Sequence, residues 1–152
     1  MTKGTEVLKN YTILIADDDA DDRLMASDAF HENFQNTTIK FVEDGEELMD
    51  YLTKTYGDFS QKENEKPQLI LLDLNMPRKD GREALAEIKR NKNFRKIPVI
   101  VFSTSKDAND IKNAYDLGVN CYITKPNSYT ELLLLTKKIG DYWFKTVELP
   151  MV

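Results

Sequence analysis

Apolar residues along this chain fall into short continuous runs, separated by stretches in which they recur every three or four positions. The runs TILIA (12–16), QLILLD (68–73), PVIVF (98–102) and NCYI (120–123) are bounded by turn residues, the pattern of strands covered on both faces. TIKFV (38–42) alternates more, as an edge strand does. The intervening stretches have helical spacing. Ala26, Phe30 and Phe34 share one face of a helix over about 20–35, and Leu48, Leu52 and Tyr56 share one over about 45–56. Asp44 with Glu47 and Asp80 with Glu83 have capping-box spacing, the second pair opening a helix that carries Leu85 and Ile88. Asp107 caps a fourth helix, with Ile111 and Tyr115 expected inward and Gly118 just past its end. Ser128 and Glu131 open the last, running through Leu132, Leu135, Ile139 and Trp143.

Strand followed by helix, five times over, predicts an α/β fold: a doubly wound five-stranded parallel sheet with helices on both faces. The polar stretch GDFSQKENEKP (57–67) enters the third strand, at the sheet edge opposite the usual ligand crevice, and reads as a tolerated insertion. That crevice lies at the carboxyl ends of the strands. The topology brings Asp17 and Asp18, Asp73, Ser103 and Thr104, and Lys125 to it from four different strands.

Five of the six residues from Asp17 to Asp22 are aspartates. A lone acid after a strand is commonly a helix cap, and Asp19, Asp21 and Asp22 suit the first turn of a helix, where the dipole favours negative charge. Two adjacent acids, a third from another strand and a lysine from a further strand ask for more. Carboxylates held within several ångströms share a proton or bind a cation. Oxygen-only ligands suit Mg²⁺ or Mn²⁺ rather than Zn²⁺. His31 stands alone in the first helix, on its surface. A carboxylate, a hydroxyl, a lysine and such a metal are equipped for phosphoryl transfer, with a carboxylate as nucleophile.

Composition narrows the setting. With 152 residues, 41% hydrophobic and 31% charged, the chain reads as one globular domain, its core at about 11–140 and a C-terminal tail at about 141–152. No apolar run approaches the roughly 20 residues of a spanning helix, so no membrane association is expected. The start, MTKGTEVLKNY, lacks a secretory signal, and a single cysteine, Cys121, fits a reducing cytoplasm as a small buried side chain. A net charge of −5 argues against a nucleic-acid surface.

The segments ILIADDDADD, LILLDLNMPRKDGREAL, IPVIVFSTS and VNCYITKP, in this order and spacing, resemble the response-regulator receiver domain across nearly the whole chain. The resemblance implies a flavodoxin-like (βα)5 domain phosphorylated on one aspartate by a histidine kinase or a histidine phosphotransfer protein. It matches Asp73 to the phosphoacceptor and Asp17 with Asp18 to the metal-binding pair, Asp19 being the alternative in register. Asn75 matches the position whose backbone carbonyl completes the metal ligands. Ser103, with Thr104 as alternative, matches the switch hydroxyl, Tyr122 the switch aromatic and Lys125 the phosphate-pairing lysine. Lys125–Pro126 matches a cis peptide.

A haloacid-dehalogenase-like phosphatase would need a second acid where Asn75 stands, and a flavodoxin-like binder a glycine- and hydroxyl-rich loop where DDDADD stands. No output domain is expected, so output passes through protein contacts. The last helix carries Leu134, Tyr142 and Phe144 beyond one apolar stripe. With VNCYITKP, this resembles stand-alone receivers that partner bacterial phytochrome-type kinases and form homodimers, here through the face of the fourth helix, fifth strand and fifth helix together with the tail. The alternatives are an intermediate carrier in a phosphorelay and a degenerate receiver that only binds.

Overall fold

Strands buried on both faces need mostly apolar side chains, and the central ones have them apart from Thr12 in β1 and Ser103 at the end of β4. The computed structural model describes residues 10–57 and 65–150. Its elements are β1 (Tyr11–Ala16), α1 (Ala20–Asn33), β2 (Thr37–Val42), α2 (Gly45–Thr55), β3 (Leu69–Leu72), α3 (Gly81–Arg90), β4 (Val99–Ser103), α4 (Ala108–Asp116), β5 (Cys121–Thr124) and α5 (Tyr129–Trp143). The five strands pair parallel in the order β2-β1-β3-β4-β5. This is the doubly wound, flavodoxin-like sheet expected from the sequence, with β2 at one edge and β5 at the other.

Because strand side chains alternate between faces, the central strands feed two cores. Leu14, Ile70, Leu72, Val99 and Val101 meet Leu48 and Leu52 of α2, Leu85 and Ile88 of α3 and Ala114 of α4. Ile13, Ile15, Leu69, Leu71, Ile100 and Phe102 meet Ala26, Ala29 and Phe30 of α1 and Leu132 and Ile139 of α5. α1 and α5 lock together where Asn33 Nδ2 donates to Leu133 O (2.9 Å) and Thr136 Oγ1 (2.8 Å). Gly140 lets the Phe34 ring lie against α5, since a Cβ there would stand 2.0 Å from Phe34 Cε2.

Helix starts follow their caps. Asp19 accepts from the amides of Asp21 and Asp22, Asp107 from Asn109 and Asp110, and Ser128 from Glu131. Asp80 and Glu83 close both halves of a capping box. Asp44 takes the Glu47 amide at 2.8 Å, but Glu47 reaches past it to the amide of Glu43, also at 2.8 Å, so this second box stays half-formed. Gly118, at φ 101°, ends α4 in the left-handed region that glycine adopts without steric cost.

Three expectations change. Tyr115 does not point inward: α4 buries only Ala114, with Ile111 half-buried, and the exposed Tyr115 offers its hydroxyl oxygen to the Tyr122 amide on the edge strand (3.1 Å). Cys121 is half-buried rather than buried, because β5 lies at the sheet edge. Phe144 is not a spare surface residue. It is buried, stacked on Tyr11 with ring centroids 4.2 Å apart, and its carbonyl accepts from the Tyr11 hydroxyl at 2.7 Å. The tail after α5 thus folds over the start of β1, while Leu134 and Tyr142 remain exposed. His31 is exposed and its Nε2 lies 2.8 Å from Thr37 O. Among the described residues, no helix is long and apolar enough to cross a membrane. Most of the 57–67 stretch and the first nine residues of the chain lie outside the described residues.

Candidate acidic site at the strand ends

The chain leaves β1 for β2 on one side, while β3 lies on the other, so a crevice opens where the strand order reverses. Asp17 and Asp73 follow the two strands that flank this point. The Asp17 amide donates to Val42 O (3.1 Å) and the Asp73 amide to Ala16 O (2.9 Å), so each backbone continues its ladder into the site. Asp17 is buried, Asp73 half-buried and Asp18 exposed. Asp17 is fixed further by the Asp19 amide on Oδ1 (3.0 Å) and by Arg23, which donates to its carbonyl (2.7 Å).

Carboxylate oxygens of Asp17, Asp18 and Asp73 all lie within 4.8 Å of one another. Such a group of hard oxygen donors, without sulfur or imidazole, fits Mg²⁺ or Mn²⁺ and disfavours Zn²⁺. Asp19, the alternative in register, is instead occupied as the α1 cap.

Lys125 enters from β5. Its amide donates to Ser103 O (2.8 Å), and its Nζ donates to Asp17 Oδ2 at 2.7 Å, Asp22 Oδ2 at 2.8 Å and Asp73 Oδ2 at 3.3 Å. Burial alone would lower the lysine pKa. The hydrogen bonds it donates to Asp17 and Asp22 and the charges of Asp73 and Asp17 outweigh it and hold the ammonium above its ordinary value. Burial lifts the Asp73 carboxyl above the usual range and the Asp17 charge adds to this, while Lys125 and the Asn75 amide pull it back in part.

Ser103 ends β4 fully buried, its Oγ accepting from the Ser105 amide (3.2 Å), whereas Thr104 is exposed. Tyr122 lies opposite Val101 in the β4–β5 pairing and packs its ring against the core. Its hydroxyl donates to Ser105 O at 2.8 Å. Asn75 is exposed in the loop between β3 and α3.

That loop is gripped by two glycines. Gly81 donates its amide to Leu74 O (2.9 Å) and Gly45 to Lys79 O (2.8 Å), and Cβ atoms there would stand 2.1 Å from Asp73 O and 2.2 Å from Lys79 O.

Lys125–Pro126 corrects the expected cis bond: every peptide bond among the described residues is trans. The trans form is the intrinsic preference of an X–Pro bond by about 0.5–1 kcal/mol, and here it is compatible with the lysine amide on β4 and the ammonium among the acids.

Two contacts of the site were not anticipated. Asp22 looked sufficiently explained as a first-turn acid, yet it binds Lys125; its place one turn after Asp19 was the available signal. Ser105 Oγ donates to Asp110 Oδ2 (2.6 Å), and Arg82 binds the other oxygen (3.0 Å), tying the loop after β4 to α3. The Ser105 hydroxyl and then Arg82 hold the Asp110 carboxyl below its ordinary range.

Known proteins similar to this chain in sequence and fold are numerous. The response regulator receiver domain matches residues 13–137. Response regulator Rcp1 of Synechocystis is 39% identical over 142 residues, covering 91% of each chain. The probable methanogenesis regulatory protein FilR2 of Methanothrix harundinacea is 34% identical over 133 residues, 88% of this chain and 83% of that one. Among solved structures, the phosphorylated cyanobacterial phytochrome response regulator RcpA superposes with a TM-score of 0.84 at 40% identity, covering 94% of this chain and all of that one. The Mn²⁺-bound form of Rcp1 superposes at 0.79 with 37% identity, covering 93% and 99%. With a doubly wound sheet, an acidic crevice at its switch point and a match over most of its length, the chain belongs to the response-regulator receiver family of two-component signalling.

Proposed function

We propose that Asp73 accepts a phosphoryl group from the phosphohistidine of a histidine kinase or a histidine phosphotransfer protein, and that the resulting acyl phosphate switches a protein-contact face. The observation that carries this reading is Lys125 Nζ, buried within hydrogen-bonding distance of both Asp17 and Asp73 beside the three-carboxylate group. In transfer, an Asp73 carboxylate oxygen forms a bond to phosphorus as the phosphorus–nitrogen bond of the donor breaks, its electron pair staying on the imidazole. Loss of the group is attack by water on phosphorus, which releases inorganic phosphate and restores the carboxylate.

Asp17, Asp18, Asp73 and the backbone carbonyl of Asn75 are the ligands assigned to Mg²⁺ or Mn²⁺, whose charge neutralises phosphoryl oxygens. Lys125 pairs with a phosphoryl oxygen, and Ser103, rather than the exposed Thr104, supplies the hydroxyl. Movement of Ser103 inward acts on Tyr122 through Ser105, which bonds both. The protein takes part in its own phosphorylation and is not a turnover enzyme on a small substrate.

A phytochrome-type kinase is the favoured partner, on the likeness to RcpA and to response regulator RPA3017 in red light signaling of R. palustris, 32% identical with a TM-score of 0.83. Exposed Leu134 and Tyr142 favour pairing of two copies through α4, β5, α5 and the tail.

Intact mass after incubation with Mg²⁺ and acetyl phosphate tests the chemistry. A single phosphoryl adduct, absent from Asp73→Asn and from an EDTA control, is expected. Folded, Mg²⁺-binding protein without an adduct refutes it and leaves a binding module. Onward transfer from loaded protein to a phosphotransfer histidine would mark a relay intermediate instead of a terminal regulator.

A further inference from the structure

Lys125 is the most heavily claimed side chain in the site. An ammonium has three N–H donors, and three carboxylates take them: Asp17 at 2.7 Å, Asp22 at 2.8 Å and Asp73 at 3.3 Å. The two short bonds go to residues at the end of β1 and the start of α1. The long one goes to the proposed acceptor. Asp17 and Asp73 also belong to the three-carboxylate group that fits a metal, and Asp22 does not. Asp22 is therefore the one acceptor on this lysine with no part in the metal set.

Its position is built rather than incidental. Asp19 caps α1 by accepting the amides of Asp21 and Asp22 at 2.9 and 3.0 Å, which fixes the first turn. That turn sets the Asp22 carboxylate over the crevice, while Asp21 is exposed and makes no ion pair with Lys125.

We propose that Asp22 is a positioning residue that holds the Lys125 ammonium toward α1 and competes with the phosphoryl oxygens on Asp73 for it. When a metal engages Asp17, that carboxylate loosens its hold on the lysine. The Asp22 bond is then the restraint left between Lys125 and the phosphoryl group. Asp22 thereby lowers the loaded fraction and shortens its persistence relative to a chain with a neutral residue there. This rests on the phosphoacceptor reading of Asp73.

The test compares wild type, Asp22→Asn and Asp21→Asn at saturating Mg²⁺ and fixed acetyl phosphate, following the adduct by intact mass. Asp22→Asn is expected to raise the ratio of loaded to unloaded protein by about three- to tenfold, the range of one net hydrogen bond. Asp21→Asn, which makes the same change of charge one residue away, is expected to leave the ratio within about twofold. An independent readout uses the unloaded protein: the Lys125 ammonium signal in ¹⁵N NMR should exchange with water faster in Asp22→Asn than in wild type. A loss of helix capping or fold would lower loading and would not produce this pairing of results.

Equal loading of wild type and Asp22→Asn overturns the inference while the receiver chemistry stands. So does lower loading, which would make Asp22 an aid to Lys125, and so does an equal rise in Asp21→Asn, which would reduce the effect to donor attraction. Wild type that forms no adduct overturns the receiver reading itself, and the competition with it.

Discussion

Replacing Lys125 with Met tests how the acidic crevice is tolerated at all. The substitution keeps an apolar stem of similar length in the slot beside the Phe102 ring, whose centroid lies 6.0 Å from Nζ, and removes the ammonium with its charge and its three donors. What remains is three carboxylates around an empty centre. The Lys125, Asp17 and Asp73 side chains are 9%, 5% and 12% exposed, so solvent screens this group poorly, whereas Asp22 at 32% can turn to water. Breaking a buried ion pair by removing one partner costs about 3–5 kcal/mol. The freedom of Asp22 and the Asp19 amide that Asp17 keeps reduce this to about 2–4 kcal/mol at pH 7 without metal. For a chain of this size that is a fall in Tm of roughly 5–15 °C.

The loss should shrink toward pH 4 as Asp73, whose carboxyl burial lifts above its ordinary range, takes up a proton, and Mg²⁺ should restore more stability to the variant than to wild type, since only the variant lacks an internal cation. Denaturant unfolding in EDTA at pH 7 and pH 4, repeated with Mg²⁺, reads all three effects. A variant within about 1 kcal/mol of wild type at pH 7 in EDTA refutes the claim that Lys125 neutralises the cluster.

Asp73→Asn should stabilise the metal-free protein at pH 7. A carboxyl whose folded pKa is raised contributes stability below its unfolded value, near pH 4, and loses it as pH rises through the folded one; the gain of the variant should therefore vanish below about pH 4 in a Tm-versus-pH series. Gly81→Ala drives a Cβ into Asp73 O and Leu74 Cα, so α3 must lift from the loop, at about 1–3 kcal/mol; calorimetry for Mg²⁺ should show weaker binding, and unchanged binding and stability would show that the loop yields freely. Phe144→Ala opens a cavity against Tyr11 and Phe34, expected to cost about 3–5 kcal/mol in denaturant unfolding without changing the Mg²⁺ affinity of the distant site.

Much of this was legible because parallel strands dictate where their ends go. Asp17, Asp73, Ser103 and Lys125 are far apart in sequence, yet each follows or closes an apolar run, and the topology gathers them without any knowledge of side-chain contacts. Failures came where a residue had an adequate local explanation. Asp22 satisfied the helix dipole, so nothing in the pattern demanded a second partner. Tyr115 fell at helical spacing from Ile111, but α4 is nine residues long and buries only Ala114, so spacing over one turn could not fix its facing. Phe144 looked surplus to the α5 stripe because its partner, Tyr11, lies at the other end of the chain.

The run LILL of β3 feeds one core with Leu69 and Leu71 and the other with Ile70 and Leu72. A slip of one residue would exchange the two sets and leave both cores apolar, so hydrophobicity alone barely pins this strand, unlike one with a polar face. The stops are polar. At one end Gln68 donates its amide to Thr12 O and takes the Thr12 amide on its side chain, at 2.9 and 2.7 Å. At the other stands Asp73, whose charge cannot be drawn into the sheet. The residue proposed to carry the signal is thus also a bookmark for the alignment of the central strand. Replacing it with leucine, unlike asparagine, would lengthen the apolar run and invite a second alignment, visible as doubled amide resonances along β1 and β3.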